Sequence, residues 1–139
     1  MALVWTDFVW TWKKWISIYP ITSPSPTAGI GYEAGAGGTV TQATSKSTGV
    51  TLNTATGAIT MNNASLAAGT IVSFTLTNSA IAAGDVLVLN HTSGGTPGSY
   101  TLNARAAVGS ATLDVRNNTG GALAEAIAIS FAIIKGAVA

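Results

Sequence analysis

The chain has 139 residues and a formal net charge of +1 at pH 7, which suits one well-packed domain with an appended segment rather than two full domains. The near-zero net charge offers no electrostatic footprint for nucleic acid. The absence of cysteine excludes a disulfide framework, thiol catalysis and thiolate metal sites.

Charged residues make up only 8% of the chain, whereas soluble domains average about 25%. Thr, Asn, Ser, Gly and Ala stand where Lys and Glu usually cover a soluble surface. This composition predicts a surface that is covered by neighbouring subunits, or one that belongs to an extracellular or virion protein.

The first nineteen residues contain all four tryptophans. Read as a helix, this segment places its large apolar side chains at alternating spacings of 3 and 4, which forms a single stripe. Because so much aromatic surface is poorly tolerated in water, we predict that residues 1–19 anchor the chain to a partner, either as a helix or as an extended arm. The predicted anchor residues are Trp5, Phe8, Val9, Trp12, Trp15, Ile16 and Tyr19.

Three partners fit this anchor: the chain's own domain or its copies, a groove on a larger assembly, or a membrane interface. Asp7, Lys13 and Lys14 interrupt the apolar run, so the segment is a poor membrane span, and its lysines are misplaced for a secretory signal. The same three residues make only a weak polar face, so the membrane interface ranks third.

Residues 20–38 are predicted to form a tether. Pro20, Pro24 and Pro26 favour an extended, semi-stiff first half, and the glycines that follow favour a flexible second half. The tether separates the anchor from a module spanning residues 39–139.

The module alternates apolar and polar residues in short runs separated by turns, which predicts an all-β, eight-stranded, jelly-roll-like β-sandwich. Gly49–Asn53 and Ala58–Asn62, with a turn at residues 54–57, are predicted to form a hairpin. The continuous apolar run Val86–Leu89 predicts a strand buried on both faces. The predicted strands are 39–44, 49–53, 58–62, 70–78, 85–91, 99–106, 111–117 and 125–135.

The last predicted strand has two different apolar faces. Its large residues, from Ile127 to Ile133, alternate toward the core. Small apolar residues occupy the other face, where an edge strand of a soluble protein would carry charge, so we predict that this face contacts other copies in a cyclic oligomer. The predicted oligomer-face residues are Ala126, Ala128, Ala132 and Ile134.

No pattern points to catalysis, a metal site or a cofactor. His91 is the single histidine, and the acidic residues are scattered. Residues 29–34 match the pattern G-x-G-x-x-A, but a proline-rich segment precedes them and no helix is predicted after them, so we interpret them as linker. A rival hypothesis is a receptor- or glycan-binding module that uses loops such as Thr92–Ser99 and Gly109–Ala111, near Tyr100.

Several segments of the module resemble small structural proteins encoded by bacteriophages and prophages, across about residues 35–139. These proteins are head-decoration, head-fibre or tail-fibre components, often trimeric and joined to varied N-terminal sequences. The segments that carry the resemblance are Gly35–Asn53, Ile59–Asn63, Ser73–Thr77, Asp85–His91, Arg116–Asn118 and Ile133–Ala139.

The resemblance implies a virion protein on the capsid surface or another external component, and it brings no catalytic residues. We therefore predict a non-enzymatic structural module, a homotrimer, that residues 1–19 attach to the major capsid protein or another virion protein. Nucleic acid is not an expected partner, and a host-surface glycan is the alternative ligand.

Overall fold

The computed structural model describes residues 26–27 and 29–137. The chain divides into two units, Met1–Gly31 and Tyr32–Ala139. All seven predicted anchor residues lie outside the described residues, so the choice between helix and arm stays a prediction. The described residues contain strands, turns and loops but no helix.

The second unit is a sandwich of two four-stranded sheets, which confirms the all-β prediction. Sheet I has the order β1-β3-β8-β5, and sheet II has the order β2-β4-β7-β6. Neighbours are antiparallel except for the parallel pairs β1–β3 and β2–β4. The strands are β1 (Thr39–Thr41), β2 (Val50–Thr51), β3 (Thr56–Thr60), β4 (Ile71–Thr77), β5 (Val86–Ser93), β6 (Tyr100–Ala107), β7 (Ser110–Asn117) and β8 (Ala128–Ile134).

The core lies between the sheets and follows the alternation in the sequence. In β4, Phe74 and Leu76 are buried while the residues between and beside them are exposed. In β8, Ile129, Phe131 and Ile133 are buried on the inner face, as predicted. Burying a large apolar side chain of this kind contributes roughly 1.5–3 kcal/mol, so these alternating positions drive the packing of the sheets.

The predicted hairpin at residues 49–62 is wrong. β2 pairs in parallel with β4 in sheet II, whereas β3 lies between β1 and β8 in sheet I. Residues 52–55 therefore carry the chain from one sheet to the other. This crossing lets Val50 and Ile59 enter one core from opposite sides, where they are 7% and 0% exposed.

The prediction that the Val86–Leu89 strand is buried on both faces is also wrong. β5 is an edge strand of sheet I, and only its inner face meets the core. Val86 and Val88 point outward and remain 57% and 51% exposed. β8, by contrast, is an interior strand paired on both sides, not the edge that the sequence analysis assumes.

Asn117, at the end of β7, ties two loops together beneath the sheets. Its side chain is fully buried, and its Nδ2 donates to the carbonyl oxygens of Leu66 (3.0 Å), Ala67 (3.2 Å) and Gly121 (2.8 Å). Its Oδ1 accepts a hydrogen bond from the backbone N–H of Thr119 at 2.9 Å. Buried backbone groups need partners, and these loops obtain them from the Asn117 amide and from a two-way backbone bridge between Leu66 and Leu123.

The β-unit begins ahead of the first strand. The Tyr32 hydroxyl donates to the carbonyl oxygen of Ile133, and the Gly38 carbonyl accepts from the N–H of Ala58 at 2.9 Å. Residues 32–38, which the sequence analysis places in the tether, therefore contact the sandwich.

Candidate functional site

The outward-facing positions of sheet I form a surface that we call the neutral face. Cross-strand register aligns β5 with β8, β8 with β3, and β3 with β1, so these side chains lie on one continuous face. In the described strands of sheet I this face carries no charged residue. The neutral face consists of Thr39, Thr41, Thr56, Ala58, Thr60, Val86, Val88, Asn90, Thr92, Ala128, Ser130, Ala132 and Ile134.

The outer face of sheet II is chemically different and serves as an internal comparison. Arg105, Asp114 and Arg116 lie there among Ser, Thr and Asn side chains, together with the exposed Ile71. The Arg105 guanidinium contacts the Asp114 carboxylate at 3.2 Å, and Ser73 donates to the same carboxylate at 2.6 Å. Sheet II therefore has the surface that a solvated sheet usually presents, and the lack of charge is confined to sheet I.

The neutral face has an aliphatic patch at its β5–β8 side. Val86 lies directly opposite Ile134, and Val88 lies directly opposite Ala132. Val86, Val88 and Ile134 are each more than half exposed, at 57%, 51% and 57%. Single exposed aliphatic residues are common, so it is the contiguity of this group on adjacent strands that makes it a candidate interaction surface.

The charged residues nearest this patch form an ion pair with each other. Asp85 precedes β5 and Lys135 follows β8, and their side chains meet at 2.5 Å. The hydrogen bond from Lys135 lowers the pKa of Asp85, and backbone N–H groups of Ala82 and Gly136 act in the same direction. The ion pair thus closes one end of the patch without leaving a free charge on the neutral face.

The structure places the predicted oligomer-face residues in two settings. Ala128, Ala132 and Ile134 belong to the neutral face, where the two alanines are half-buried and Ile134 is exposed. Ala126 lies before β8 and is exposed. The sequence analysis missed Val86 and Val88 as surface residues because their continuous apolar run resembles that of a buried strand.

A second feature is a concavity beneath the loop after β5, which we call the loop cavity. It has a volume of about 370 Å³ and is lined by His91, Tyr100 and residues 92–98 apart from Thr96. His91 is opposite the buried Ile129 and Tyr100 is opposite the buried Asn117, so both rings occupy inward register positions. The cavity therefore opens between the sheets, where β5 and β6 lie side by side.

Glu125 holds the loop over this cavity. Its Oε1 accepts from the Thr96 hydroxyl at 2.6 Å, and its Oε2 accepts from the Thr96 N–H at 3.0 Å and from the Tyr100 hydroxyl at 2.8 Å. The bonds from Thr96, with a smaller contribution from Tyr100, lower the pKa of Glu125. Burial and the bond to Glu125 raise the pKa of Tyr100, so its hydroxyl stays a donor.

Lys46 supports the same region from below. It is 4% exposed, and its Nζ donates to the carbonyl oxygens of Asn62 (2.7 Å) and Glu125 (2.5 Å). Burial lowers the pKa of Lys46, and the nearby Glu125 carboxylate partly opposes that shift. The sequence analysis missed both residues; the one available signal is that Glu125 is the only charged residue between Arg116 and Lys135.

The metal-ligating side chains of the described residues are not clustered. Within residues 26–27 and 29–137, no group of three or more His, Asp or Glu side chains could hold a metal ion. Over the same residues, no helix is long and apolar enough to cross a membrane.

Comparison with protein-family models, with curated proteins and with solved structures finds no match. The two surfaces therefore have to be interpreted from their own chemistry.

Proposed function

We propose that this protein is a non-enzymatic structural module of a bacteriophage virion whose copies associate through the neutral face. The single observation that carries this proposal is an uncharged four-stranded face with three exposed aliphatic side chains, Val86, Val88 and Ile134. Residues 1–19 attach the module to a capsid or other virion protein. The resemblance of residues 35–139 to phage structural modules supports the same class.

A second copy fits the neutral face better than a charged partner does. A charged partner would have to desolvate its ionic groups against a surface that offers no countercharge. Copies of the same uncharged surface, or of another uncharged surface of this chain, meet without like-charge repulsion. The preference is therefore for self-association.

The size of the patch indicates how many contacts are needed. Fully burying a Val or Ile side chain contributes roughly 1.5–3 kcal/mol, and about half of that remains for a half-exposed one, so the three together contribute about 3 kcal/mol. Association costs about 4 kcal/mol or more in lost freedom of motion. The patch alone is too small to hold two copies, so the rest of the face must also be buried.

In a cyclic homotrimer more of each copy is buried than the patch alone, because every copy makes two interfaces with its neighbours. Linked copies also multiply weak attachments through effective concentration, which strengthens binding of three N-terminal anchors to one particle.

The proposal extends to the type of sandwich, which we infer to be jelly-roll-like. From β1 to β6 successive strands alternate between sheet I and sheet II, and only β6–β7 is a hairpin within one sheet. Eight strands divided equally between two sheets support this assignment, whereas the parallel pairs β1–β3 and β2–β4 depart from the all-antiparallel jelly roll.

The test is the oligomeric mass of the full-length chain carrying Val88→Lys, measured by size-exclusion chromatography with light scattering. A lysine in the centre of the aliphatic patch cannot be buried unpaired, so we expect a shift from trimer toward monomer. The matched control is Asn103→Lys, which adds the same charge to the exposed edge strand of sheet II. A monomeric wild-type chain, or an equal shift in both variants, would refute self-association through this face.

A further inference from the structure

We propose that the loop cavity binds a neutral, hydroxyl-rich ligand of the saccharide class. The volume of about 370 Å³ falls within the range of about 300–1,000 Å³ that is usual for small-molecule sites. This inference goes beyond the proposed assembly role and does not depend on the neutral face.

The loop cavity contains a rigid aromatic surface. The rings of His91 and Tyr100 meet edge to face, with centroids 5.7 Å apart and an interplanar angle of 88°. The Tyr100 hydroxyl is tied to Glu125, and His91 Nε2 lies 2.7 Å from the carbonyl oxygen of Gly94 and 3.2 Å from that of Ser93. Both rings are thus fixed before any ligand arrives, which reduces the entropy that binding must overcome.

The lining of the loop cavity also carries uncharged hydrogen-bonding groups. Carbonyl oxygens can only accept, so His91 Nε2 carries the proton and Nδ1 is left as an acceptor in the neutral ring. The Ser93 hydroxyl and the backbone of the glycines add further donors and acceptors. Dispersed, uncharged polar groups beside an aromatic ring suit a sugar, which combines hydroxyls with apolar C–H faces.

The residues that line the loop cavity carry no carboxylate, ammonium or guanidinium group. The nearest carboxylate, Glu125, has both oxygens occupied by Thr96 and Tyr100. Neither an anion nor a cation therefore finds a countercharge in the cavity, and the ligand it favours is neutral.

The loop after β5 packs closely against the rest of the sandwich. Gly94 and Gly95 have φ values of 72° and 64°, which disfavour other residues. A Cβ on Gly94 would lie 2.4 Å from the carbonyl oxygen of Ala126, and one on Gly95 would lie 2.6 Å from the Ile127 side chain. The loop thus lies against the segment before β8, and the cavity keeps its shape.

The test is a titration of the ¹⁵N-labelled full-length chain with methyl glycosides of glucose, galactose and N-acetylglucosamine, followed by backbone amide shifts. At least one glycoside should cause saturable shifts centred on residues 91–100. Tyr100→Ala should weaken that binding at least tenfold, whereas Tyr100→Phe, which keeps the ring, should retain most of it. Ser93→Ala removes a single hydroxyl and should weaken it severalfold.

The control variant Asn103→Ala, on the outer face of sheet II, should bind like wild type. Repeating the titration on Val88→Lys separates this proposal from the first, since binding should survive whether or not the chain self-associates. The proposal is overturned by no saturable shift with any glycoside, by shifts spread over the surface, or by unchanged affinity in Tyr100→Ala. Tighter binding of glucose 6-phosphate than of any neutral glycoside would overturn the neutral ligand class.

Discussion

Replacing Asn117 by alanine should be among the most destabilising single changes in this fold. The residue is 0% exposed, and its side-chain amide donates hydrogen bonds to the carbonyl oxygens of Leu66, Ala67 and Gly121. Alanine removes these bonds and leaves a polar-walled gap. Alanine also removes the two hydrogen bonds that Thr119 donates to Asn117 Oδ1. The three carbonyl oxygens keep other donors in Leu123, Thr70 and Thr119, so each lost bond costs only its net contribution of about 0.5–1.5 kcal/mol, and water entering the gap offsets part of the loss.

We therefore expect Asn117→Ala to lower the free energy of unfolding by roughly 3–5 kcal/mol. Domains of this size have total stabilities of about 5–15 kcal/mol, so the loss is a large share. The corresponding fall in melting temperature is roughly 15–25 °C.

The assay is urea unfolding of the full-length chain at one fixed protein concentration, because self-association would otherwise shift the midpoint. Asn118→Ala provides the matched control, since Asn118 is the neighbouring asparagine, is exposed, and its side chain donates to the Thr101 hydroxyl at 2.8 Å. It should change stability by about 0.5 kcal/mol or less. If the two variants differ by less than about 1 kcal/mol, Asn117 does not hold the loops as argued.

Three further predictions follow from individual side chains and segments. Phe74→Ala, in the core and 3% exposed, should destabilise by roughly 3–5 kcal/mol, whereas Ile71→Ala, 59% exposed on the same strand, should change little in the same urea assay. Glu125 has a folded pKa below its unfolded value of 4.5, so its stabilisation is present above that pH and is lost as pH falls through the folded pKa. Urea midpoints of Glu125→Gln should therefore lie below wild type at pH 7 and approach it as pH falls below 4.5, while Glu33→Gln, at an exposed position, should stay close to wild type at pH 7. Deleting residues 1–19 should leave a folded oligomer that no longer co-sediments with phage particles, and co-sedimentation of the truncated chain would exclude the anchor.

Local patterning was sufficient to predict the strands and much of the core. The alternation of Val72, Phe74 and Leu76 with polar residues specifies which face of β4 is buried, and the structure confirms it. The hairpin at residues 49–62 failed for a different reason. Turn residues specify that the chain reverses, but they do not specify in which sheet the next strand pairs, and the parallel partners of β2 and β3 lie elsewhere in the sequence.

The sites were harder to predict than the strands because they depend on non-local contacts. The loop cavity needs His91, Tyr100 and Glu125 together, and only the fold brings the carboxylate of Glu125 to the hydroxyl of Tyr100. Lys46 reaches the Glu125 carbonyl across 79 residues of sequence. No periodicity in a single strand reports such a contact.

The wrong prediction for β5 bears directly on function. An apolar run such as Val86–Leu89 specifies that both faces of the strand avoid water, yet the fold covers only the inner one. Val86 and Val88 lie beside Ile134 on a face without charge, so nothing within the described part of this chain completes their burial. We propose that a second copy completes this burial, and the oligomeric mass of Val88→Lys against Asn103→Lys tests that proposal.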